Sequence, residues 1–284
     1  MDLKKIASEI RQILEDKRKE IELTFVEDTH TYYMKDLDGE IKTTFPSVSK
    51  VLKKFYEEFD SETISYNKAK GDPVEQQRLL AEWKAAGDYS TNMGSRVHYM
   101  LEKKSHEIFK IVKEVRKPEF DCDFEQILKG DSMINAGDKF LKLMKERNGV
   151  LLDTEMVLGH PGIGYTGQPD KIWIIENKKK TEFGILITDY KTNKPKNFMP
   201  NRFTKKMKPP FQDIDDTALG HYYLQLPFYG KLLLKMLEGT KYENLKLYGC
   251  IVILLREDSE FEEFRVPQSV IDTILDMDVK QYLI

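Results

Sequence analysis

A chain of 284 residues with 40% apolar and 11% aromatic side chains can bury the core of one large or two small domains. No run approaches the roughly 18 apolar residues of a membrane span. The charged start MDLKKIASEIRQILEDKRKE lacks a signal peptide's apolar block, and Cys122 and Cys250 are too few for a disulfide framework or a four-cysteine zinc or iron-sulfur site. An intracellular protein with free thiols and no membrane partner is expected, and its net charge of -3 argues against binding nucleic acid by bulk charge alone.

Leu3, Ile6, Ile10, Ile13 and Leu14 recur at helical spacing over residues 2–20. Residues 21–35, IELTFVEDTHTYYMK, read as two short strands around Asp28-Thr29, and Pro46-Ser47 caps a short helix, VSKVLKKF. From Ser61 to about Lys110 the pattern is helical, with breaks near Gly71-Asp-Pro73 and Gly87-Asp88. A polar stretch over 117–130 leads into a helix near Ser132 to Arg147. Strands then dominate: VLLDTEMVLG, YTGQPDKIWIIE and FGILITDYK, and, after a helix from roughly Thr217 to Leu237, LKLYGCIVILLRE and FEEFRVP, with a helix closing the chain. This interleaving predicts an α/β fold, a central mixed sheet flanked by helices. Residues 1–115 form a mostly helical amino-terminal region and 116–284 the core, the two making one compact unit.

Two features interrupt the apolar pattern. The first is the segment from Lys191 to Gln212, which holds seven basic side chains (Lys191, Lys194, Lys196, Arg202, Lys205, Lys206, Lys208) and no acidic one. Taken alone, such a run is a solvated loop. Its prolines and lack of apolar periodicity suggest a mobile loop beside whatever the preceding strand does.

The second is the pair Gly164-Tyr-Thr-Gly-Gln-Pro-Asp170 and Ile187-Thr-Asp-Tyr-Lys-Thr192. A turn centred on Asn177 to Glu182 pairs positions whose numbers sum to about 359, so Ile174 faces Ile185, Ile172 faces Ile187 and Asp170 faces Asp189. Alternation puts Asp189 and Lys191 on the face of Ile185 and Ile187, with Tyr190 opposite. Two acids and a lysine thus converge at the open end of a hairpin. They form either a buried ion pair or a cation site, and two crowded carboxylates with room for phosphate oxygens suit magnesium or manganese.

These residues resemble the PD-(D/E)xK nuclease superfamily, in particular its RecB-like exonuclease branch. The resemblance rests on Gly94-Ser-Arg-Val-His98, Glu155, Gln168-Pro-Asp170, Asp189-Tyr-Lys191 and Gln225-Leu-Pro-Phe-Tyr229, in that order across roughly 130 residues. It implies a restriction-endonuclease-like core, metal binding by His98, Asp170, Asp189 and the Tyr190 carbonyl, and a catalytic role for Lys191 with Glu155 in support. It further implies that Gln225 and Tyr229 face DNA or the active site. His221 and Tyr222, one turn before Gln225, are expected along the same groove, and the basic run, leaving the strand that ends at Lys191 and preceding the helix of Gln225, is expected to border it, with Lys194, Lys196, Arg202, Lys205, Lys206 and Lys208 guiding DNA. The GHPGIGYT loop before Asp170 is unusual for the family, and the cluster cysteines of some relatives are missing, so no iron-sulfur cluster is expected. HTYYMKDLDG and TFPSVSKVL are similar to small stand-alone phage and mitochondrial exonucleases. No Gly-x-x-x-x-Gly-Lys-Ser/Thr loop occurs, so any helicase or recombination protein is a separate partner. The implied activity is Mg2+- or Mn2+-dependent exonucleolytic hydrolysis of DNA in recombination, repair or phage genome processing. A structure-selective endonuclease, or a nuclease fold that only binds DNA, are the alternatives.

Overall fold

The computed structural model describes residues 2–39, 41–195 and 198–283, with the backbone alone for 41–43. Lys196 lies outside the described residues. Helix α1 (Leu3–Glu20) leads to a three-stranded antiparallel sheet, β1 (Thr24–Val26), β2 (Thr31–Lys35) and β3 (Ile41–Phe45). Helices α2 (Val48–Leu52), α3 (Ser61–Lys68), α4 (Pro73–Phe109) and α5 (Phe124–Glu146) follow. The strands β4 (Val150–Thr154), β5 (Leu158–His160), β6 (Tyr165–Gly167), β7 (Lys171–Glu176) and β8 (Phe183–Lys191) precede α6 (Ala218–Met236), and β9 (Leu247–Leu255), β10 (Phe261–Arg265), α7 (Gln268–Asp276) and a short 3-10 helix (Val279–Tyr282) follow.

The main sheet runs β10-β9-β8-β7-β4, parallel between β8 and β9 and antiparallel elsewhere, which is the mixed α/β arrangement expected. Its strands alternate cleanly. Ile172, Ile174, Ile185, Ile187, Cys250, Val252 and Leu254 share one core with α1, α2, α6 and α7, while Trp173, Leu186, Tyr190, Ile251 and Ile253 pack with α4 and α5 on the other face. Because Leu3, Ala7, Ile10 and Leu14 of α1 belong to the first of these cores, apolar contacts cross the boundary drawn at residue 115.

Four local expectations are corrected. Helix α4 runs unbroken through Gly87-Asp88 for 37 residues. A helical glycine costs only about 1 kcal/mol relative to alanine, far below proline's roughly 3, and the flanking Ala85, Ala86 and Lys84 favour helix. Helix α5 starts at Phe124, not Ser132, because Asp123 and Gln126 form a reciprocal capping box. The stretch VLLDTEMVLG is two strands, β4 and β5, broken at Glu155, whose φ of 46° is left-handed. YTGQPDKIWIIE likewise divides into β6 and β7.

Candidate metal centre

The β7–β8 hairpin has the expected register: Ile172 pairs with Ile187 and Ile174 with Ile185, and the turn closes with Asn177 N donating to Glu182 O at 2.9 Å. Asp170 and Asp189 therefore stand at its open end, 8% and 4% exposed. Asp170 Oδ2 accepts the Tyr190 backbone N–H at 2.8 Å and lies 3.2 Å from His98 Nδ1. Helix α4 delivers that histidine from 72 residues upstream. The turn after β4 delivers Glu155. Its N–H donates to Asp170 O at 3.2 Å and its carbonyl accepts from Gln168 Nε2 at 3.2 Å, bonds that hold a left-handed backbone costing about 1–2 kcal/mol. His98, Glu155 and Asp170 each offer a ligand atom, all within 4.8 Å of one another.

Electrostatics separate these carboxyls. Burial pushes Asp170 up, but His98, Lys191 and Lys171 outweigh it and hold the group well below the usual carboxylate range. Glu155 goes the other way: burial first, then the charges of Asp170 and Glu102, push it far up. Asp189 is also raised, by burial and by Asp170, even though the Lys191 ammonium pairs with its Oδ2. Beside that ion pair, the three convergent N and O donors of His98, Glu155 and Asp170 are a donor set suited to a divalent cation. Lys191 is held above the ordinary lysine value because Asp189 and Asp170 overcome burial, and its ammonium sits 4.2 Å over the Tyr222 ring. What the structure shows of the Tyr190 backbone at this site is the N–H on Asp170; its ring is buried on the opposite face, as alternation requires.

Sequence reasoning missed a group beneath Glu155. Lys171, 3% exposed, packs its ammonium 4.1 Å from the Tyr190 ring, and burial pulls it below the ordinary lysine value while Asp170 and Glu155 pull it back. The Thr154 hydroxyl donates to Glu102 Oε1 at 2.9 Å and meets His106 Nε2 at 2.7 Å, while Lys113 Nζ donates to Asp153 Oδ1 at 3.0 Å and Thr154 O at 2.6 Å. Burial draws the His106 pKa down. The end of β4 is thus pinned to α4 just before Glu155. One signal was available: His98, Glu102 and His106 recur every four residues, one polar stripe on α4.

Two clefts, of 680 and 530 Å³, both open onto His98. The larger is lined by Lys191, Lys194 and Tyr222, the smaller by Glu102, Glu155 and Gln168. Gln225 Nε2 donates to Tyr229 Oη at 2.8 Å, but Tyr229 is buried, its ring filling the space that a Cβ on Gly167 would take at 2.5 Å. It faces the site side, so the reading of Tyr229 as a DNA contact is withdrawn. His221 pairs with Asp216 at 2.6 Å and stacks 3.9 Å from the Tyr56 ring. Tyr222 donates to Asn193 Oδ1 at 3.2 Å.

The basic run is also corrected. Lys194 borders the larger cleft, but Arg202, Lys205, Lys206 and Lys208 do not. Phe198, Met207 and Phe211 are buried and anchor the segment; Lys205 pairs with Glu57 at 2.7 Å, Lys206 with Asp215 at 2.9 Å, and Lys208 N donates to Phe55 O at 2.7 Å. Arg202 lies 4.6 Å over Phe203. The chain matches no known protein family and no curated protein, so residue geometry carries the functional argument.

Proposed function

We propose that this protein is a Mg2+- or Mn2+-dependent nuclease that hydrolyses DNA phosphodiesters, working from strand ends, of the PD-(D/E)xK type its motifs resemble. The observation that carries the reading is the convergence of His98, Glu155 and Asp170 within 4.8 Å, next to the Asp189–Lys191 pair, with two open clefts that both reach His98. His98, Glu155 and Asp170 would hold the cation, with Asp189 beside them. When bound, the cation would lower the pKa of a coordinated water and neutralise charge on the phosphate. Asp170, held low, would anchor the cation, and Glu155 and Asp189, whose pKa values burial raises, would join it in their ionised forms. Lys191, steered by Asp189 and the Tyr222 ring, presents its ammonium to charge developing on the phosphate oxygens. Lys194 at the cleft rim guides the strand.

End-labelled linear single- and double-stranded DNA and covalently closed circles, each with Mg2+, Mn2+ or chelator, test the proposal. Degradation of linear DNA only, abolished by chelator, is the expected result. Cutting of circles would make the protein an endonuclease, and intact DNA throughout would remove the nuclease reading.

A further inference from the structure

A strand guided by Lys194 and Lys191 occupies the larger of the two clefts that meet at His98, which leaves the smaller without an occupant. The two linings differ in charge. The larger carries Lys129, Lys191 and Lys194 against Glu125 and Glu257. The smaller, of 530 Å³, reverses this: besides His98 and Glu155 of the metal site it has Glu27, Glu102 and Glu114 against Lys113 and Arg116. Both of these cations are already engaged. Lys113 is held by the buried Asp153 carboxylate at 3.0 Å and by Thr154 O at 2.6 Å, and Arg116 pairs with Glu27 at 2.6 Å. A phosphate entering the smaller cleft therefore meets carboxylates before it meets an unpaired cation.

The rest of that lining suits a nucleoside. The half-buried rings of Phe25 and Tyr99 offer faces on which a base stacks whatever its sequence. Carboxylates accept hydrogen bonds and donate none, so Glu27 and Glu114 match a hydroxyl or a base amino group and oppose a second acceptor. Since His98 and Glu155 also line this cleft, the stretch of strand just past the phosphate at the cation is the part that enters it. We propose that the smaller cleft is the subsite for the strand's terminal nucleoside, taking an end that bears a hydroxyl and turning away an end that bears a phosphate. This rests on the nuclease reading above and adds its end specificity. Repeated cutting then fixes which bond breaks. The water oxygen joins phosphorus and its proton passes to solvent, while the bond from phosphorus to the oxygen of the retained strand breaks. That oxygen keeps the electron pair, takes a proton and becomes the new terminal hydroxyl, and the released piece carries the phosphate away. Only this division leaves the retained strand an end that the smaller cleft accepts.

Internally labelled single strands of one sequence, with a hydroxyl or a phosphate at each terminus in all combinations, test this in Mn2+. A phosphate at one terminus should slow degradation by at least about tenfold, a phosphate at the other should have no effect, and the released pieces should carry a phosphate. Equal rates for every strand, or faster degradation from a phosphate-bearing end, overturn the proposal and leave the nuclease reading standing. Fluorescence anisotropy of the same strands with chelator-treated protein reads the subsite without cleavage. Phosphorylating that same terminus should weaken binding, and Glu27→Gln, which frees the Arg116 guanidinium, should narrow the difference. A difference that Glu27→Gln leaves unchanged, or strands that all bind alike, overturn the assignment of this cleft. A protein that discriminates in binding but leaves DNA intact removes the nuclease activity alone, and one that neither cuts nor binds the strands removes both readings.

Discussion

The site at the end of the sheet presents two faces that carry charge in different states. Toward α6, Asp189 and Lys191 pair, and the ammonium is seated on Tyr222. Beside α4, His98, Glu155 and Asp170 converge; burial and the charges of Asp170 and Glu102 raise Glu155, while His98, Lys191 and Lys171 hold Asp170 down. The first face is balanced as it stands and can meet an incoming anion. The second is short of positive charge and can be completed by a cation. A phosphodiester between them would touch both, which is why the two faces matter together.

Breaking either face tests this comparison most strongly. Asp170→Ala should abolish both Mn2+ binding and cleavage, whereas Lys191→Ala should leave Mn2+ binding in place and lower kcat by about 10²–10³-fold, the usual loss for one preorganised charge-stabilising group. Mn2+ calorimetry beside a cleavage time course separates the two. Equal loss of metal binding in both variants would mean the faces are one unit. Asp189→Ala should fold normally, since it relieves crowding with Asp170.

A subtler break lies behind Glu155. Thr154→Val removes the hydroxyl that joins Glu102 to His106 and should weaken Mn2+ affinity by about 10–100-fold, the usual effect of losing a partner behind a metal ligand. Thr154→Ser keeps the hydroxyl and should restore it. If both variants bind Mn2+ alike, the network does not position Glu155.

Acidity sharpens the contrast further. Glu155 and Asp189 are raised in the metal-free protein, so between the ordinary carboxylate range and their raised values the folded chain holds more protons than the unfolded one. Stability of the metal-free protein should fall as pH rises through that window, and Mn2+ should restore it while releasing protons. Asp170, lowered, acts in the opposite sense and its contribution is lost only on strong acidification. Urea midpoints against pH with and without Mn2+ measure this; a metal-free midpoint that rises through the window would contradict the assignment. The smallest effect is at the rim. Lys194→Ala should flatten the salt dependence of DNA binding by about 0.7–0.9 in log–log slope, one phosphate contact, while neutralising Lys205, Lys206 and Lys208 together should leave the slope nearly unchanged.

The parts of the site legible in the sequence are those governed by strict periodicity. A strand's two-residue repeat and a short turn suffice to bring Asp170 opposite Asp189 and to turn Tyr190 away, and a four-residue helical step puts Gln225 beside Tyr229. What escaped the sequence depends on long-range contacts. The break at Glu155 follows from Asp170 and Gln168 bonding its backbone, and Lys171 reads as an ordinary strand residue until Tyr190 and the carboxylates surround it. In the basic run, Phe198, Met207 and Phe211 have no regular spacing, so nothing local shows that they anchor the segment away from the cleft. The capping box at Asp123 was the exception, a local signal present but overlooked.

The most direct test of the account is a crystal structure of the wild-type protein grown with Mn2+, with data collected at the manganese absorption edge. The expected result is anomalous density within about 2.0–2.3 Å of a His98 ring nitrogen and of carboxylate oxygens of Glu155 and Asp170. Full occupancy elsewhere on the chain, or no ion at millimolar Mn2+ with these three side chains placed as described, would contradict it.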